Sequence, residues 1–212
     1  MSQKAILFDL DGTLTDSGEG IINCATLALE HFGLPVPERK AMYVFIGPPL
    51  RDTFIKFGVN PQDVEEAITV FRSRYLTKGK YENKPYPGIR ELLEKLQAQG
   101  HKLYVATSKP EIQAVDVLEH FDLAKYFDII AGATMDKTRD SKSAVIAYLK
   151  EQAGTMAASV MVGDTAFDVT GAADHGIPTI GVSWGYGKVQ DMMDAGAVAI
   201  ARDVNELFEL LK

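Results

Sequence analysis

Asp9 and Asp11 stand one residue apart at the end of the apolar run Ala5-Ile6-Leu7-Phe8, and Gly12 follows directly. Carboxylates at the tip of a buried segment are costly to desolvate unless a cation or a phosphoryl group compensates them. Three further polar groups occur in the same kind of place. Thr107-Ser108-Lys109 follows the apolar run 103–106. Lys142, flanked by Ser141 and Ser143, opens an amphipathic stretch. Gly163-Asp164-Thr165-Ala166-Phe167-Asp168 follows Val160-Met161-Val162, with Asp164 and Asp168 one helical turn apart. If they converge, Asp9, Asp11 and Asp164 form a hard oxygen site of the kind Mg²⁺ takes, completed by water and substrate phosphate. Without a cation the three acids repel, and at least one is driven toward its protonated form. Thr107 and Lys142 add a hydroxyl and a fixed positive charge, which suit phosphate oxygens.

Each signal also has an ordinary explanation. Asp11-Gly12 is a common turn, Asp164 suits a helix N-cap, Thr107 a loop hydroxyl and Lys142 a solvated surface lysine. Their recurrence in this order, each at a strand exit or helix start, is what argues for chemistry. Rival motifs fail on spacing. An EF-hand loop requires glycine where Leu14 stands. Gly187-Lys188 is followed by Val189 and lacks the earlier glycine of a Walker A loop, and Gln190 breaks the dinucleotide pattern begun at Gly185. His31, His101, His120 and His175 are scattered without zinc spacing. Cys24 lies on an apolar helical stripe and suits core packing.

The elements that must position these groups follow from periodicity. Residues 4–8 read as a buried strand. Ile21, Ala25, Ala28, Leu29 and Phe32 fall at helical spacing until Gly33 and Pro35. Val64, Ala67, Ile68, Phe71 and Tyr75 form a second stripe after Asp63, with a helix–loop–helix break over 44–51. Beyond Pro85 and Pro87-Gly88 strands and helices alternate. Strands are expected at 103–106, 127–131, 160–162, 178–182 and 197–201, with helices around 89–96, 112–118, 145–149, 169–173 and 204–211. Such alternation implies a parallel sheet with helices on both faces, whose ligand site lies at the carboxyl ends of its strands. The all-helical stretch 17–85 interrupts this pattern after the first strand and reads as an inserted domain.

Length and charge narrow the class. The 212 residues suffice for a sizeable core plus an insertion. A net charge of −7 argues against non-specific binding to nucleic acid or an anionic membrane. Cys24, the single cysteine, allows no intrachain disulfide and fits a reducing, cytoplasmic setting. The apolar start is too short for a signal peptide, and no run approaches the length of a membrane span.

Asp9-Leu10-Asp11-Gly12-Thr13, with Leu14-Thr15-Asp16, resembles the first motif of the haloacid dehalogenase (HAD) superfamily. Thr107 resembles its second motif, Lys142 its third, and Gly163-Asp164 with Asp168 its fourth. The helical insertion is similar to the cap of the subgroup containing phosphoglycolate phosphatases and 5′-nucleotidases, as are the Tyr86-Pro87-Gly88 re-entry and the stretch from Gly171 to Pro178. The resemblance implies an α/β fold: a Rossmann-like parallel-sheet core over 1–16 and 86–212, and a helical cap over 17–85. It implies Asp9 as a nucleophile forming an aspartyl-phosphate, and Asp11 as the acid and then the base. It further implies Mg²⁺ held by the Asp9 carboxylate, the Asp11 carbonyl and Asp164, with Asp168 ordering these ligands. Thr107, Ser108 and Lys142 would hold the phosphoryl group.

Within the superfamily, Asp11 disfavours dehalogenation, whose halide leaves without a proton. Ile21 stands where phosphohexose mutases carry a histidine. Lys109 and Lys137 are rivals for the third-motif lysine; Lys142 is preferred because it opens an amphipathic helix. Arg51, in Gly47-Pro48-Pro49-Leu50-Arg51, is a candidate for a substrate carboxylate or second phosphate. Trp184-Gly185-Tyr186-Gly187 either flanks the leaving group or is an ordinary loop. The expectation is a Mg²⁺-dependent phosphatase, monomeric or homodimeric, acting on a small phosphorylated metabolite such as phosphoglycolate or a nucleoside 5′-monophosphate. Neither a nucleic-acid polymer nor a membrane is expected as a partner. The alternatives are a pyrophosphatase, a mutase, or a binding protein of the same fold without turnover.

Overall fold

Every residue of the first strand, β1 (Ala5–Phe8), is buried, and the sheet is built outward from it on both sides. The structure is a computed structural model and describes residues 3–154, 156 and 158–212. The other strands are β2 (Lys102–Pro110), β3 (Ile129–Ala133), β4 (Ser159–Gly163), β5 (Thr179–Val182) and β6 (Ala199–Ala201). All pair in parallel, in the order β3-β2-β1-β4-β5-β6. The strand order reverses between β1 and β4, so a crevice is expected beyond their carboxyl ends.

The chain forms two compact units, one from residues up to Thr15 together with Pro85–Lys212, the other Asp16–Lys84. In the second are α1 (Gly18–His31), α2 (Leu50–Lys56) and α3 (Val64–Tyr75), with one 3₁₀ segment at Arg39–Phe45 between α1 and α2 and another at Gly79–Tyr81 after α3. Phe45, Phe54, Phe57, Phe71 and Tyr75 form a chain of ring contacts with centroids 4.8–6.4 Å apart. Gly20 and Gly79 bring two segments into backbone contact: a Cβ on Gly20 would lie 1.8 Å from the Gly79 carbonyl oxygen. Arg74 holds Glu82 through two hydrogen bonds of 2.7 and 2.9 Å, and Asn23 donates to the same carboxylate at 3.1 Å. The unit's ends run side by side, with Asp16 N–H donating to the Lys84 carbonyl at 2.7 Å. In the sheet unit Thr15 bridges Pro85, and Tyr86 N–H donates to the Leu14 carbonyl at 3.0 Å.

The remaining helices are α4 (Ile89–Ala98), α5 (Glu111–His120), α6 (Lys142–Ala153), α7 (Ala166–Ala173), α8 (Val189–Asp194) and α9 (Val204–Leu211). Alternate side chains of β1 feed two separate cores. Ile6 and Phe8 pack with apolar residues of α4, α5 and α9, whereas Ala5 and Leu7 pack with those of α6 and α7. Burying Ile6, Leu7 and Phe8 contributes roughly 1.5–3 kcal/mol each.

The structure corrects three expectations. Strand β2 continues through Thr107-Ser108-Lys109 to Pro110 rather than ending at Ala106, because the chain bulges and then pairs again. Strand β3 lies two residues later than 127–131, since Ala124–Tyr126 forms a 3₁₀ turn that Phe127 leaves. Helix α8 was not expected; its six residues are too few to display a helical stripe, and Met192 is its one buried side chain. The ordinary explanation offered for Asp164 does not apply, since the N-cap of α7 is Thr165, with Asp168 completing a capping box. Among the described residues no helix is long and apolar enough to cross a membrane.

Candidate active site

The turn after β1 is set by backbone hydrogen bonds. Asp9 N–H extends the ladder to the Val162 carbonyl at 2.9 Å, after which Leu14 and Thr15 N–H return to the Leu10 carbonyl at 2.9 and 3.0 Å. Asp9 and Asp11 therefore flank a bend and face different partners. Asp9 lies 2.8 Å from the Lys142 ammonium through Oδ1. Asp11 pairs through Oδ2 with Lys109. Gly12 is required at this bend, having φ +88° and lying where a Cβ would fall 2.3 Å from Asp164 Oδ2.

The bulge in β2 places Thr107 and Lys109. Ala106 pairs with Ala131 and Pro110 with Ala133, so β2 spends two more residues than β3 over this interval. Bulges re-aim side chains in this manner. The other side of the bulge is braced: Arg139 donates to the Gly132 carbonyl at 2.7 Å and to Glu111 at 2.6 Å. Gly132 itself passes so close that a Cβ there would lie 2.6 Å from the Lys109 carbonyl oxygen. Thr107 is buried and its hydroxyl hydrogen-bonds Asp9, while Ser108 is half-buried beside it.

Lys142 is the first residue of α6 because Ser141 caps the helix, accepting from Ala144 N–H at 3.2 Å. The residue is buried, and its ammonium lies 2.8 Å from Asp9 Oδ1, 2.8 Å from Asp168 Oδ1 and 2.8 Å from the Ala106 carbonyl oxygen. Asp168 is divided between Lys142 and Thr165, whose N–H and hydroxyl donate to its Oδ2 at 3.0 and 2.9 Å. Asp164 is fully buried, taking the Thr13 hydroxyl at 3.3 Å on Oδ1 and Tyr186 N–H at 2.8 Å on Oδ2. Residues 184–187 thus fold over Asp164, and Trp184 fastens them by donating from Nε1 to the Thr13 carbonyl at 3.1 Å.

Burial dominates the electrostatics. It pushes the Asp9 carboxyl up to about 6, against the opposing charge of Lys142, with Asp168 adding to the rise. It holds Asp164 well above the usual carboxylate range, reinforced by the charges of Asp168 and Asp9 and eased by the N–H groups of Tyr186 and Gly187. For Lys142 burial acts to lower the ammonium, and Asp168 and Asp9 outweigh it, leaving the group above its ordinary value.

One oxygen from each of Asp9, Asp164 and Asp168 lies within 4.8 Å of the others. Three carboxylates with one ammonium against two of them, Asp9 and Asp164 both pushed up by burial, form a hard donor set short of positive charge, which fits a magnesium-sized dication. Asp168 is tied on both oxygens, to Lys142 and to its own helix start; Asp9 and Asp164 are the ligands the resemblance implies, and both lie in this cluster. The Asp11 carboxylate is turned to Lys109 and is not part of this cluster; the ligand role of its backbone carbonyl is what the resemblance implies.

The structure brings together Asp9, Asp11, Thr107, Lys142, Asp164 and Asp168. Lys137 is exposed in the loop before α6 and Arg51 is half-exposed on α2, where it pairs with Glu65. Two contributors were not assigned these places by the sequence reading: Lys109 as the partner of Asp11, and residues 185–187 as the cover of Asp164. The adjacency of Lys109 to Thr107 and the glycines at 185 and 187 were the available signals.

Residues 6–182 match the family model described as haloacid dehalogenase-like hydrolase. The chain is 42% identical to the tyrosine-protein kinase PtkA of Mycobacterium tuberculosis, over 99% of this chain and 73% of that one. It is 38% identical to a 5′-nucleotidase of Pseudomonas aeruginosa, covering 98% of this chain and 95% of that one. Among solved structures it is similar to a predicted phosphatase from Clostridium acetobutylicum, with a TM-score of 0.94 and 38% identity over 100% of this chain and 99% of that one.

Proposed function

The chain belongs to the haloacid dehalogenase-like hydrolase family, and we propose that it hydrolyses a small phosphate monoester through an aspartyl-phosphate on Asp9. The observation that carries this reading is the division of labour at the bend after β1. Asp9 is held by Lys142 and Thr107, while Asp11, two residues on, is held apart by Lys109.

In the first half-reaction an oxygen of Asp9 bonds to phosphorus as the bond from phosphorus to the ester oxygen breaks. Asp11 delivers a proton to that departing oxygen. In the second, Asp11 removes a proton from water, whose oxygen attacks phosphorus and returns the Asp9 carboxylate and inorganic phosphate. Lys142 and Thr107 hold the equatorial oxygens in line, the positioning and charge stabilisation on which phosphoryl transfer chiefly depends. Mg²⁺, held by Asp9, Asp164 and the Asp11 carbonyl, supplies when bound the further positive charge that a dianionic phosphoryl group requires. Asp168 keeps Lys142 and the start of α7 in place.

The substrate class is a small phosphorylated metabolite, phosphoglycolate or a nucleoside 5′-monophosphate, with inorganic pyrophosphate behind them; the name of the 38%-identical 5′-nucleotidase supports the second, and that of a phosphoglycolate phosphatase of Aquifex aeolicus, 31% identical over 97% of each chain, supports the first. Arg51 is the proposed reader of a substrate carboxylate or second phosphate. The 42%-identical relative named a tyrosine-protein kinase favours a second reading, in which an acceptor other than water takes the phosphoryl group. Turnover of p-nitrophenyl phosphate in Mg²⁺ buffer with water as the only acceptor separates the two. Phosphate release by the wild type, and none by Asp9→Asn, is expected; full activity in that variant would remove Asp9 as nucleophile.

A further inference from the structure

We propose that Lys109 is a positioning residue for proton donation: it clamps one oxygen of Asp11 and so presents the other to the leaving group. The inference rests on the reading of Asp9 and Asp11 given above and extends it to a lysine outside the four motifs.

Asp11 and Lys109 form a pair whose side chains are only 12% and 5% exposed. A lysine drawn into so closed a position loses hydration that a surface lysine keeps, and its partner must compensate. The pairing uses Oδ2 of Asp11 alone. Oδ1 is also buried and meets no hydrogen-bond donor among the described residues. The two oxygens of one carboxyl are thus distinguished, one tied to a cation and the other unengaged by the protein. A buried acceptor left without a protein partner is uncommon and calls for an explanation. Proton transfer to a ligand atom supplies one.

The backbone shows that the clamp is built. The two extra residues of β2, the Glu111–Arg139 brace and the close approach of Gly132 to the Lys109 carbonyl all fix the segment from which Lys109 reaches Asp11. In the chemical step the ester oxygen leaves phosphorus with the bonding pair and takes the proton from Oδ1. The electron pair of that O–H bond stays on Asp11 as carboxylate charge. Lys109, already at Oδ2, faces the charge as it develops and needs no reorganisation.

A leaving group that departs readily as an anion gains little from this proton, whereas an alkoxide depends on it. The test compares kcat/KM, which reports the steps through phosphorus–oxygen cleavage, for p-nitrophenyl phosphate and for an alkyl monophosphate turned over by the wild type. Lys109→Met should lose about 10²-fold on the alkyl ester and only a few-fold on the aryl ester, within the range attributed to general acid catalysis. Equal losses on the two esters, or none on either, would overturn the proposal, since a distorted site slows both alike. If Lys109→Met does not fold, as read by circular dichroism, Lys109→Gln serves the same comparison. Asp9→Asn run alongside separates the two levels. Loss of both activities there with an unselective Lys109 variant defeats the clamp alone, and retained activity there defeats the nucleophile reading.

Discussion

A methyl group on Gly185 would fall 2.3 Å from Oδ2 of Asp164, so the loop after β5 and the acid after β4 are packed with no space for a side chain between them. The close approach lets Tyr186 N–H reach that oxygen at 2.8 Å. Gly185→Ala must push either the loop or the carboxylate aside. Supporting contacts of metal ligands typically govern 10–100-fold in metal affinity. The Mg²⁺ concentration giving half-maximal activity is therefore expected to rise about 10-fold or more in this variant, measured by titrating phosphate release. An unchanged Mg²⁺ requirement would show that the loop yields and that Asp164 does not depend on it.

Asp164 gives a second prediction, free of any activity assay. In the absence of a divalent ion it is a fully buried acid facing Asp9 and Asp168, and its carboxyl is held well above the ordinary range by burial first and by those charges second. Asp164→Asn relieves the repulsion and removes a carboxylate proposed to hold Mg²⁺. The melting temperature in EDTA should be equal to or above that of the wild type. At a Mg²⁺ concentration of about 100 times Kd, linkage gives the wild type about 2.7 kcal/mol, roughly 5–10 °C for a chain of this size. The variant should gain almost none of it. A Mg²⁺-dependent rise of wild-type size in Asp164→Asn would remove that residue from the metal site.

In the helical unit, Arg74 holds the Glu82 carboxyl down to about 2 through two hydrogen bonds, against a smaller opposing effect of burial, with Asn23 assisting. The folded form thus keeps Glu82 ionised below its unfolded value of 4.5. The stabilisation is fully present above that value and is lost as pH falls through about 2. Glu82→Gln should cost about 1–3 kcal/mol in urea unfolding near neutral pH. The gap to the wild type should narrow steadily between about pH 4.5 and pH 2. A gap independent of pH would mean that Glu82 contributes by shape and not by charge.

Local pattern carried the two kinds of information that short segments hold. The buried strand Ala5–Phe8, the stripes of α1, α3 and α4, and the strand–helix alternation after Pro85 are legible because burial on one face imposes a period. Asp9, Asp11 and Asp164 are legible because acids recurring at the ends of apolar runs are costly to bury, and Asp168 because it stands one helical turn after Asp164. Pairings across the sheet are another matter. Nothing in the neighbourhood of Lys109 states that β2 will bulge, since the bulge exists only relative to β3. The choice of Asp11 as its partner depends on a register between β1 and β2 that no local period encodes. Likewise 184–187 reads as a glycine-containing loop, and only the neighbouring β4 and β5 bring it over Asp164.

The backbone hydrogen bond between Asp16 and Lys84, with the Thr15–Pro85 bridge next to it, makes the long helical excursion leave and return at one point. To the sheet it is equivalent to a hairpin turn of arbitrary content. Asp9, Asp11, Thr107, Lys142, Asp164 and Asp168 all belong to the part of the chain that closes without it. The segment between these two anchor points can therefore be lengthened, trimmed or exchanged as a cassette without changing the sheet that carries these six side chains.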